Sequence, residues 1–324
     1  MLRYAPMVRG IICCLAIILA WPSLAAAEET VRIERPDAEF VIGLRYWLST
    51  GGTRESIAAP GGSPNVLSEL KWKGMKSNVY ELNGTAVIRD IAIFHAGGGF
   101  GTVGHGTLRD QDFLGNNRTG LFSDTISTAD DNHLFYVQGD LGTRLASWQI
   151  PNGRRRSHID ALLGYQYWEE KYTATTTTDL FTGQVFSAGS PALFETYRWH
   201  SLRAGLDADV ELFRGLSFHG KALFIPWSYL QVNDIHPLRT DLRHDPSFRE
   251  HASGGYGGQL DGTLSYLVSK GLSLEAGYQW WYLKSGKGQA TARPVSGPEA
   301  SEPFNGAVSL RYGFIFGIRY DMGT

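Results

Sequence analysis

The segment Ser-Leu-Arg-Ala-Gly-Leu-Asp-Ala-Asp-Val-Glu-Leu, residues 201–212, decides the fold because apolar and polar side chains alternate along it. Successive side chains of a β-strand point to opposite faces, so one face of this segment is apolar and the other carries charges. Residues 307–322 repeat the pattern, with aromatic and branched side chains alternating with serine, arginine and glycine. Both segments therefore predict strands with one face toward an apolar phase and one toward water.

Strand-like runs of this kind recur through the chain, and the connections between them alternate in length. The runs are residues 38–48, 66–88, 91–103, 132–148, 157–172, 194–212, 216–232, 255–268, 272–284 and 307–322. The short connections are 89–90, 149–156, 213–215 and 269–271, and the long ones are 49–65, 104–131, 173–193, 233–254 and 285–306. An even number of strands with short turns on one side and long loops on the other is typical of outer-membrane barrels.

The predicted fold class is all-β, a ten-stranded antiparallel transmembrane outer-membrane β-barrel with short periplasmic turns and long extracellular loops. The loops would be roughly 15 to 28 residues long. Backbone groups in lipid must all be paired, which only a closed barrel achieves with strands. A secreted β-sandwich is the alternative, but regular alternation with charges is unfavourable for its core strands.

A ten-stranded barrel is narrow, and many of its inward positions are charged. Such charges can pair across the lumen and fill it, which makes a wide general porin a poor interpretation. The inward charged residues are Arg144, Asp160, Arg203, Asp207, Asp209, Glu211, His219, Lys221, Asp261, Glu275, Arg311 and Arg319.

The N-terminus has the pattern of a secretory signal peptide, predicted as residues 1–27, which leaves 28–324 as the barrel. Arg3 and Arg9 precede an apolar run that is too short to span a bilayer, and small residues stand at 25–27. Cys13 and Cys14, the two cysteines of the chain, would leave with the signal, so the mature protein would have neither disulfides nor thiol chemistry.

Charge and spacing exclude several classes of partner. Without Arg3 and Arg9 the mature chain has 28 Lys and Arg against 32 Asp and Glu, a net charge of −4, which disfavours nucleic-acid binding. The histidine-containing segment 236–251 lacks close metal-ligand spacing and is expected to be a solvated loop. We expect neither a metal nor a cofactor.

Two short acidic segments are the candidate site. Asp110 and Asp112 follow the third predicted strand, and Asp234 and His236 follow the seventh, so strand parity places all four on the same extracellular rim. Close like charges raise a carboxyl pKa, and an aspartate orients a histidine and makes it more basic, so the four could activate a water molecule. The alternative is a solvated turn and a hydrogen-bonded loop.

At these residues the chain resembles the omptin family, outer-membrane endopeptidases built as ten-stranded barrels. The matching pieces are Arg-Asp-Gln-Asp-Phe at 109–113 and Asn-Asp-Ile-His at 233–236, supported by Leu-Lys-Trp-Lys at 70–73, Gly-Tyr-Gln at 164–166 and Arg-Trp at 198–199. The sequences around Tyr46, Gly106 and Trp199 are similar to those of a less characterised omptin-like branch. The resemblance implies an aspartic-type endopeptidase at the cell surface that hydrolyses extracellular peptides or proteins.

The resemblance also implies roles for the four residues. His236 would be the general base and Asp234 would orient it, while Asp110 and Asp112 would hold the attacking water and steady the oxyanion through a shared proton. No covalent intermediate is required. General acid and base groups of this kind each contribute about 10²- to 10⁴-fold in rate.

A second group of residues lies on the lipid-facing phase near the loop end of the barrel. Glu169 and Lys171 continue the phase of Tyr165, and Arg198 shares the phase of Leu202. Outward charges suit the phosphate-bearing headgroups of lipopolysaccharide, and the resemblance implies that lipopolysaccharide is needed for activity. Ordinary rim charges that extend to water are the alternative.

One departure from the omptin pattern affects specificity. Omptins that cut between basic residues have an acid two positions before the residue that matches Asp234, and here that position is Val232. The first loop has Glu55 but no clear counterpart of the other pocket acid, so dibasic specificity is in doubt. The rival function is a non-catalytic barrel for adhesion, envelope structure or small-solute passage.

Overall fold

The computed structural model describes residues 38–130 and 132–322, and the predicted signal peptide lies outside these residues. Within them the chain forms fifteen strands and two short 3₁₀ turns. No helix in this part of the chain has the length and apolar character needed to cross a bilayer. The strands are β1 (Ala38–Ile57), β2 (Ser68–Lys73), β3 (Ser77–Ile88), β4 (Ala92–Val103), β5 (Gly106–Gly115), β6 (Thr119–Ala129), β7 (Asn132–Trp148), β8 (Ser157–Asp179), β9 (Pro191–Phe213), β10 (Leu216–Ile235), β11 (Phe248–Ser253), β12 (Tyr256–Ser269), β13 (Leu272–Lys284), β14 (Gly288–Ala292) and β15 (Ala300–Asp321). The 3₁₀ turns are Pro60–Gly62 and Asn116–Arg118.

The strands form two stacked ten-membered rings, which we call the lower and upper rings. The lower ring follows the order β1, β3, β4, β7, β8, β9, β10, β12, β13, β15 and closes back on β1. The upper ring follows the order β1, β2, β5, β6, β8, β9, β10, β11, β14, β15 and closes in the same way. Every pairing is antiparallel, and the long strands β1, β8, β9, β10 and β15 belong to both rings. The ten-stranded antiparallel barrel predicted from alternation is therefore confirmed.

The predicted bounds of the long loops were wrong, because most residues within those bounds form strands of the upper ring. The connections that remain at this end are 58–67, 116–118, 180–190, 236–247 and 293–299. Upper-ring strands have water on their outer side, so their sequences lack the lipid-driven alternation that marks the lower ring. The predicted strand 66–88 is also divided, at 74–76 between β2 and β3.

The outside of the lower ring is an apolar belt, as expected for strands that face lipid. Exposed apolar side chains occur on all ten strands, and the upper ring extends beyond them. Representative members are Phe40, Leu44, Leu82, Phe94, Val137, Leu163, Leu206, Phe224, Leu264, Leu274 and Phe316.

An aromatic layer fills the lumen between the two rings. Trp47, Tyr136, Trp168 and Trp281 are buried and contact one another with ring centroids 4.7 to 6.4 Å apart. Edge and offset contacts at these separations are favourable for aromatic pairs. The layer leaves no room for a wide pore.

Ion pairs occupy the lumen beside this layer, which confirms that the inward charges are paired. Six arginine or lysine side chains bond to carboxylates of other strands, and Glu211 instead accepts hydrogen bonds from backbone N–H groups of Arg154, Arg155 and Gly215. The ion pairs are Arg45–Glu275 (3.0 Å), Arg144–Asp160 (3.0 Å), Arg203–Asp140 (2.6 Å), Lys221–Asp207 (3.1 Å), Arg311–Glu170 (3.0 Å) and Arg319–Asp209 (2.5 Å).

Arg311 and Glu170 form the most enclosed of these contacts, with side chains 1% and 0% exposed. Arg311 also donates to Ser77 Oγ and to the carbonyl oxygen of Met75. We expect Arg311→Met to destabilise the barrel by about 3–5 kcal/mol, because Glu170 would remain buried without its cation. Urea unfolding in detergent micelles, followed by tryptophan fluorescence, measures the loss.

The matched control is Arg239→Met, which removes the exposed Arg239–Asp241 pair and should leave unfolding unchanged. Adding Glu170→Gln to Arg311→Met should recover part of the stability, because the unpaired charge is then gone. An Arg311→Met barrel as stable as the control would contradict the assigned role.

Candidate functional site

Asp110 and Asp112 lie on strand β5 of the upper ring and not in a loop, which corrects the sequence-based placement. Cross-strand pairing sets Asp110 opposite Leu70 and Asp112 opposite Ser68 of β2. Both carboxylates share the inward phase of the buried Leu108. Ser68 Oγ lies 3.4 Å from Asp110 Oδ1. The β5 pleat therefore directs both acids into the mouth of the barrel.

The environment of this pair favours a proton on Asp110. Burial, and then the negative charge of Asp112, raise the pKa of Asp110 to about 7, against the opposing charge of His236. Burial also raises the pKa of Asp112, although hydrogen bonds from Ser68 and Ser123 and the charge of His236 limit the rise. The two aspartates can therefore share one proton near neutral pH.

Asp234 and His236 lie at the end of β10, where the strand passes into connection 236–247. His236 Nε2 is 2.9 Å from Asp234 Oδ2, and the His236 backbone N–H donates to Ser247 Oγ at 2.9 Å. The imidazole also packs edge-on against Phe248, with centroids 5.4 Å apart. Backbone and ring are thus both held, which fixes the direction of the imidazole.

The pKa of His236 is raised above its usual value. Burial alone would lower it, but the charge of Asp234, the hydrogen bond to Asp234 and the charges of Asp110 and Glu195 outweigh burial. When the Nε2–H group donates its hydrogen bond to Asp234, Nδ1 is left as the basic nitrogen. Such a histidine is a stronger base than an isolated one.

The two pairs stand on facing walls of the upper ring. Strands β5 and β10 are separated by three strands on one side, β6, β8 and β9, and by five on the other. The charge of His236 nevertheless affects the pKa of both Asp110 and Asp112. The two predicted pairs therefore interact electrostatically across the interior of the upper ring, which we call the cleft.

Three further acids lie in the cleft; Glu195 and Glu250 were missed from the sequence, whereas Glu55 was noted without an assigned role. Glu195 on β9 pairs in register with Asp234, and Glu250 on β11 pairs with Val232. Glu195 accepts a hydrogen bond from Trp72 Nε1. Glu55 lies on the inward phase of β1, where burial and then the charge of Glu195 raise its pKa.

These acids, which we call the acidic pocket (Glu55, Glu195 and Glu250), are buried without a cation. Burial and the neighbouring carboxylates raise the pKa of Glu55 and Glu250 well above the usual range. Oε2 of Glu250 and Oδ1 of Asp234 have no hydrogen-bond partner in the described protein. Val232 stands where an acid was expected, and Glu250 on the adjacent strand supplies an acid beside that position. Only the cross-strand register could have revealed it.

The arrangement offers acid and base chemistry. Among residues 38–130 and 132–322, no cluster of three histidine, cysteine or carboxylate groups could hold a metal ion. The cleft contains a base with its orienting acid, a proton-sharing acid pair opposite, and unpaired carboxylate oxygens below. Together these groups suit the activation of a water molecule.

A separate cavity lies in the lumen of the lower ring, beyond the aromatic layer. It measures about 240 Å³ and is lined by paired charges such as Asp207, Lys221 and Arg319. A polar cavity of this size is suited to water. None of the four candidate site residues lines it.

Glu169, Lys171 and Arg198 lie on the outward face of β8 and β9 at the upper limit of the apolar belt. Arg198 Nε donates to Glu169 Oε2 at 2.8 Å, and the Tyr167 hydroxyl donates to the same oxygen at 2.7 Å. His133 of β7 lies 3.6 Å from Glu169 Oε1 and pairs in register with Lys171. The three predicted residues therefore form one outward polar group.

Comparisons with known proteins agree with the barrel. The family model described as Protochlamydia outer membrane protein matches residues 45–320. The chain is similar in structure to the outer-membrane protease OmpT from Escherichia coli, with a TM-score of 0.71, 16% identity, and coverage of 91% of this chain and 100% of that one. The translocator domain of autotransporter NalP from Neisseria meningitidis matches at a TM-score of 0.37 and 13% identity, over 89% of each chain. No curated sequence is similar enough to count as a relative.

Asp234 should control the basicity of His236. We expect Asp234→Asn to lower the pKa of His236, because the substitution removes the attraction and the charged hydrogen bond that stabilise the imidazolium. Histidine NMR of the refolded barrel measures this pKa, with His236→Gln used to assign the signal. Asp245→Asn is the control, since Asp245 is exposed in the same connection. An equal pKa in Asp234→Asn and wild type would contradict the pairing.

Proposed function

The chain belongs to the Protochlamydia outer membrane protein family, and we propose that this member is an outer-membrane endopeptidase that hydrolyses peptide bonds with an activated water. The observation that carries the proposal is the convergence of Asp110 and Asp112 with Asp234 and His236 across one cleft. The outer-membrane barrel supplies the frame. The likeness to OmpT supports the fold, and the catalytic assignment rests on the side chains.

Hydrolysis needs three events that these residues can perform. His236 takes a proton from water held between the two pairs, and the water oxygen bonds to the carbonyl carbon of the peptide. The developing oxyanion is stabilised by the proton shared between Asp110 and Asp112. His236 then returns its proton to the leaving amine as the C–N bond breaks, so no group of the protein is consumed.

The acidic pocket supports a preference for a cationic substrate side chain beside the scissile bond. Val232 removes one expected acid, but Glu250 stands opposite it and Glu55 and Glu195 lie nearby. A guanidinium or ammonium group would pair with carboxylate oxygens that are otherwise unpaired, and it would lower their raised pKa values. The doubt raised by Val232 is thereby reduced.

We place the upper ring on the extracellular side, as expected if the mature chain begins in the periplasm. In that orientation the group Glu169, Lys171 and Arg198 faces the headgroup layer of the outer leaflet. Its cations suit lipopolysaccharide phosphates. Lipopolysaccharide would then fix the outer surface of β8 and β9, whose inner surface carries Glu195. No other cofactor is invoked.

The competing hypothesis is a non-catalytic barrel for adhesion or envelope structure. Small-solute passage is disfavoured by the aromatic layer of Trp47, Tyr136, Trp168 and Trp281, which fills the lumen. Planar-bilayer conductance would be the signature of a pore. Intact peptides after incubation would favour a non-catalytic function.

The test is peptide cleavage by the mature barrel refolded with lipopolysaccharide, using a mixed peptide library analysed by mass spectrometry. His236→Ala and Asp110→Asn should each lower the cleavage rate by at least about 10²-fold, because each removes an acid or base group from the transition state. Asp245→Asn should cleave like wild type. Cleavage that survives both site substitutions would refute the assigned residues.

The same library reports the specificity. Lysine or arginine should be enriched beside the cleaved bonds of wild type, and Glu250→Gln should weaken that enrichment while other cleavages persist. Glu299→Gln, an exposed glutamate in connection 293–299, is the matched control. Enrichment that is unchanged in Glu250→Gln would remove Glu250 from the specificity pocket.

A further inference from the structure

The tips of two neighbouring hairpins of the upper ring carry large apolar side chains that contact no core. We call them the apolar tip patch, and they are between 37% and 71% exposed. Hairpin β5–β6 contributes three and the connection between β8 and β9 contributes four. The residues are Leu114, Leu121, Phe122, Leu180, Phe181, Val185 and Phe186.

The two tips form one surface. Thr125 of β6 pairs with Asp179 of β8, and the Leu180 backbone N–H donates to the carbonyl oxygen of Asp124 at 2.8 Å. The turn of β8–β9 then folds back, with a bridge between Thr178 and Val185. Side chains from both hairpins therefore share the rim on this side of the cleft. They expose on the order of 600 Å² of apolar surface, which is at the upper end for a single patch.

The patch lies well away from the membrane that holds the barrel. Strand β8 leaves the apolar belt near Glu169 and continues to Asp179. At about 3.3 Å per residue along a tilted strand, the tips stand about 25 Å beyond the belt. The apolar side chains cannot be part of the belt.

The scarcity of charges at the tips favours contact with an apolar phase. Residues 180–190 contain no charged side chain, and residues 114–122 contain only Arg118. Arg118 is bonded to Glu69 of β2 through Nε at 3.0 Å and Nη2 at 2.8 Å. The inserting residues themselves therefore carry no carboxylate, and the nearest one, that of Asp179, is hydrogen-bonded to backbone N–H groups at the base of the turn.

Backbone groups of the β8–β9 turn already have partners, which a segment entering lipid requires. Asp179 Oδ1 accepts hydrogen bonds from the N–H groups of Phe181 and Thr182. The Gly183 N–H donates to the Asp179 carbonyl oxygen, and the Asp179 N–H donates to the Gln184 carbonyl oxygen. The turn can leave water without unpaired amides.

The shape of the patch fits a bilayer better than a protein. Two narrow turns project from the rim, with positive φ at Asn117, Gly120 and Gly183. Protein interfaces of standard size bury about 800 Å² on each partner over a complementary surface. A fluid bilayer needs no matching groove.

We propose that the apolar tip patch inserts into the surface of a second phospholipid bilayer that faces the barrel. The interaction is driven by apolar burial and needs no anionic lipid, because the tips carry almost no charge. It would hold the mouth of the cleft against that second membrane. The proposal does not depend on peptide cleavage.

The test is flotation of the barrel, held in lipid nanodiscs, with added phosphatidylcholine vesicles. Wild type should float with the vesicles equally well at low and high salt, and Phe122→Ser with Phe181→Ser should reduce the floated fraction at least tenfold. Leu238→Ser with Val295→Ser is the matched control, since both residues are exposed on the connections across the mouth. Heat-dependent gel mobility verifies that all barrels are folded.

A second readout reports insertion itself. Tryptophan placed by Phe181→Trp should shift its emission to shorter wavelength on vesicle addition and be quenched by brominated lipid chains. No flotation, equal flotation of both double variants, or an unaltered Phe181→Trp spectrum would overturn the proposal. Nanodisc pairing that the Phe122→Ser, Phe181→Ser barrel loses would also overturn it, because the occupant would then be a second copy of this chain.

Discussion

Backbone hydrogen bonding in a medium without water is the constraint on which this structure depends. Strands embedded in lipid must close into a ring, and the chain meets this requirement by pairing β1 with β15 in register from Val41 to Glu55. Ten strands give a lumen narrow enough for side chains to fill. The aromatic layer and the ion pairs fill it, and the most enclosed pair, Arg311 with Glu170, ties β15 to β8.

The upper ring is also closed, and its interior contains the candidate site. The inward phase of each upper-ring strand points into a shared space, so β5, β9, β10 and β11 bring Asp110, Glu195, Asp234 and Glu250 near one another. Burial makes Asp110, Glu195 and Glu250 harder to ionise, and His236 is a base beside these acids at the mouth. The same pleat that directs apolar side chains outward to lipid in the lower ring thus directs titratable groups inward in the upper ring. Catalysis and substrate charge would both depend on that arrangement.

The strands that face lipid could be predicted from the sequence more readily than those that face water. Lipid imposes alternation on the lower ring, and the segment 201–212 could be recognised for that reason. The strands β5, β6, β11 and β14 face water on the outside, so their sequences resemble polar loops, and β2 was recognised only as part of the predicted strand 66–88. Asp110, Asp112, Asp234 and His236 could be found because two short motifs follow predicted strands.

Glu195 and Glu250 could not be found in the same way. A single glutamate in a polar stretch gives no local signal, and its role depends on the cross-strand register that sets it beside Asp234 or Val232. The signal peptide, the lipopolysaccharide contact and the catalytic roles stay predictions. The ten-stranded barrel that would hold the site and the lipid contact is established.

The central claim is that two acidic pairs on facing walls act as one site, and the pKa of His236 in Asp110→Asn tests it most directly. Asp110 and His236 are on different strands, so only proximity across the cleft can couple them. Histidine NMR should show the pKa of His236 falling when Asp110 loses its charge, because that charge stabilises the imidazolium. A His236 pKa identical in wild type and Asp110→Asn would contradict the shared site.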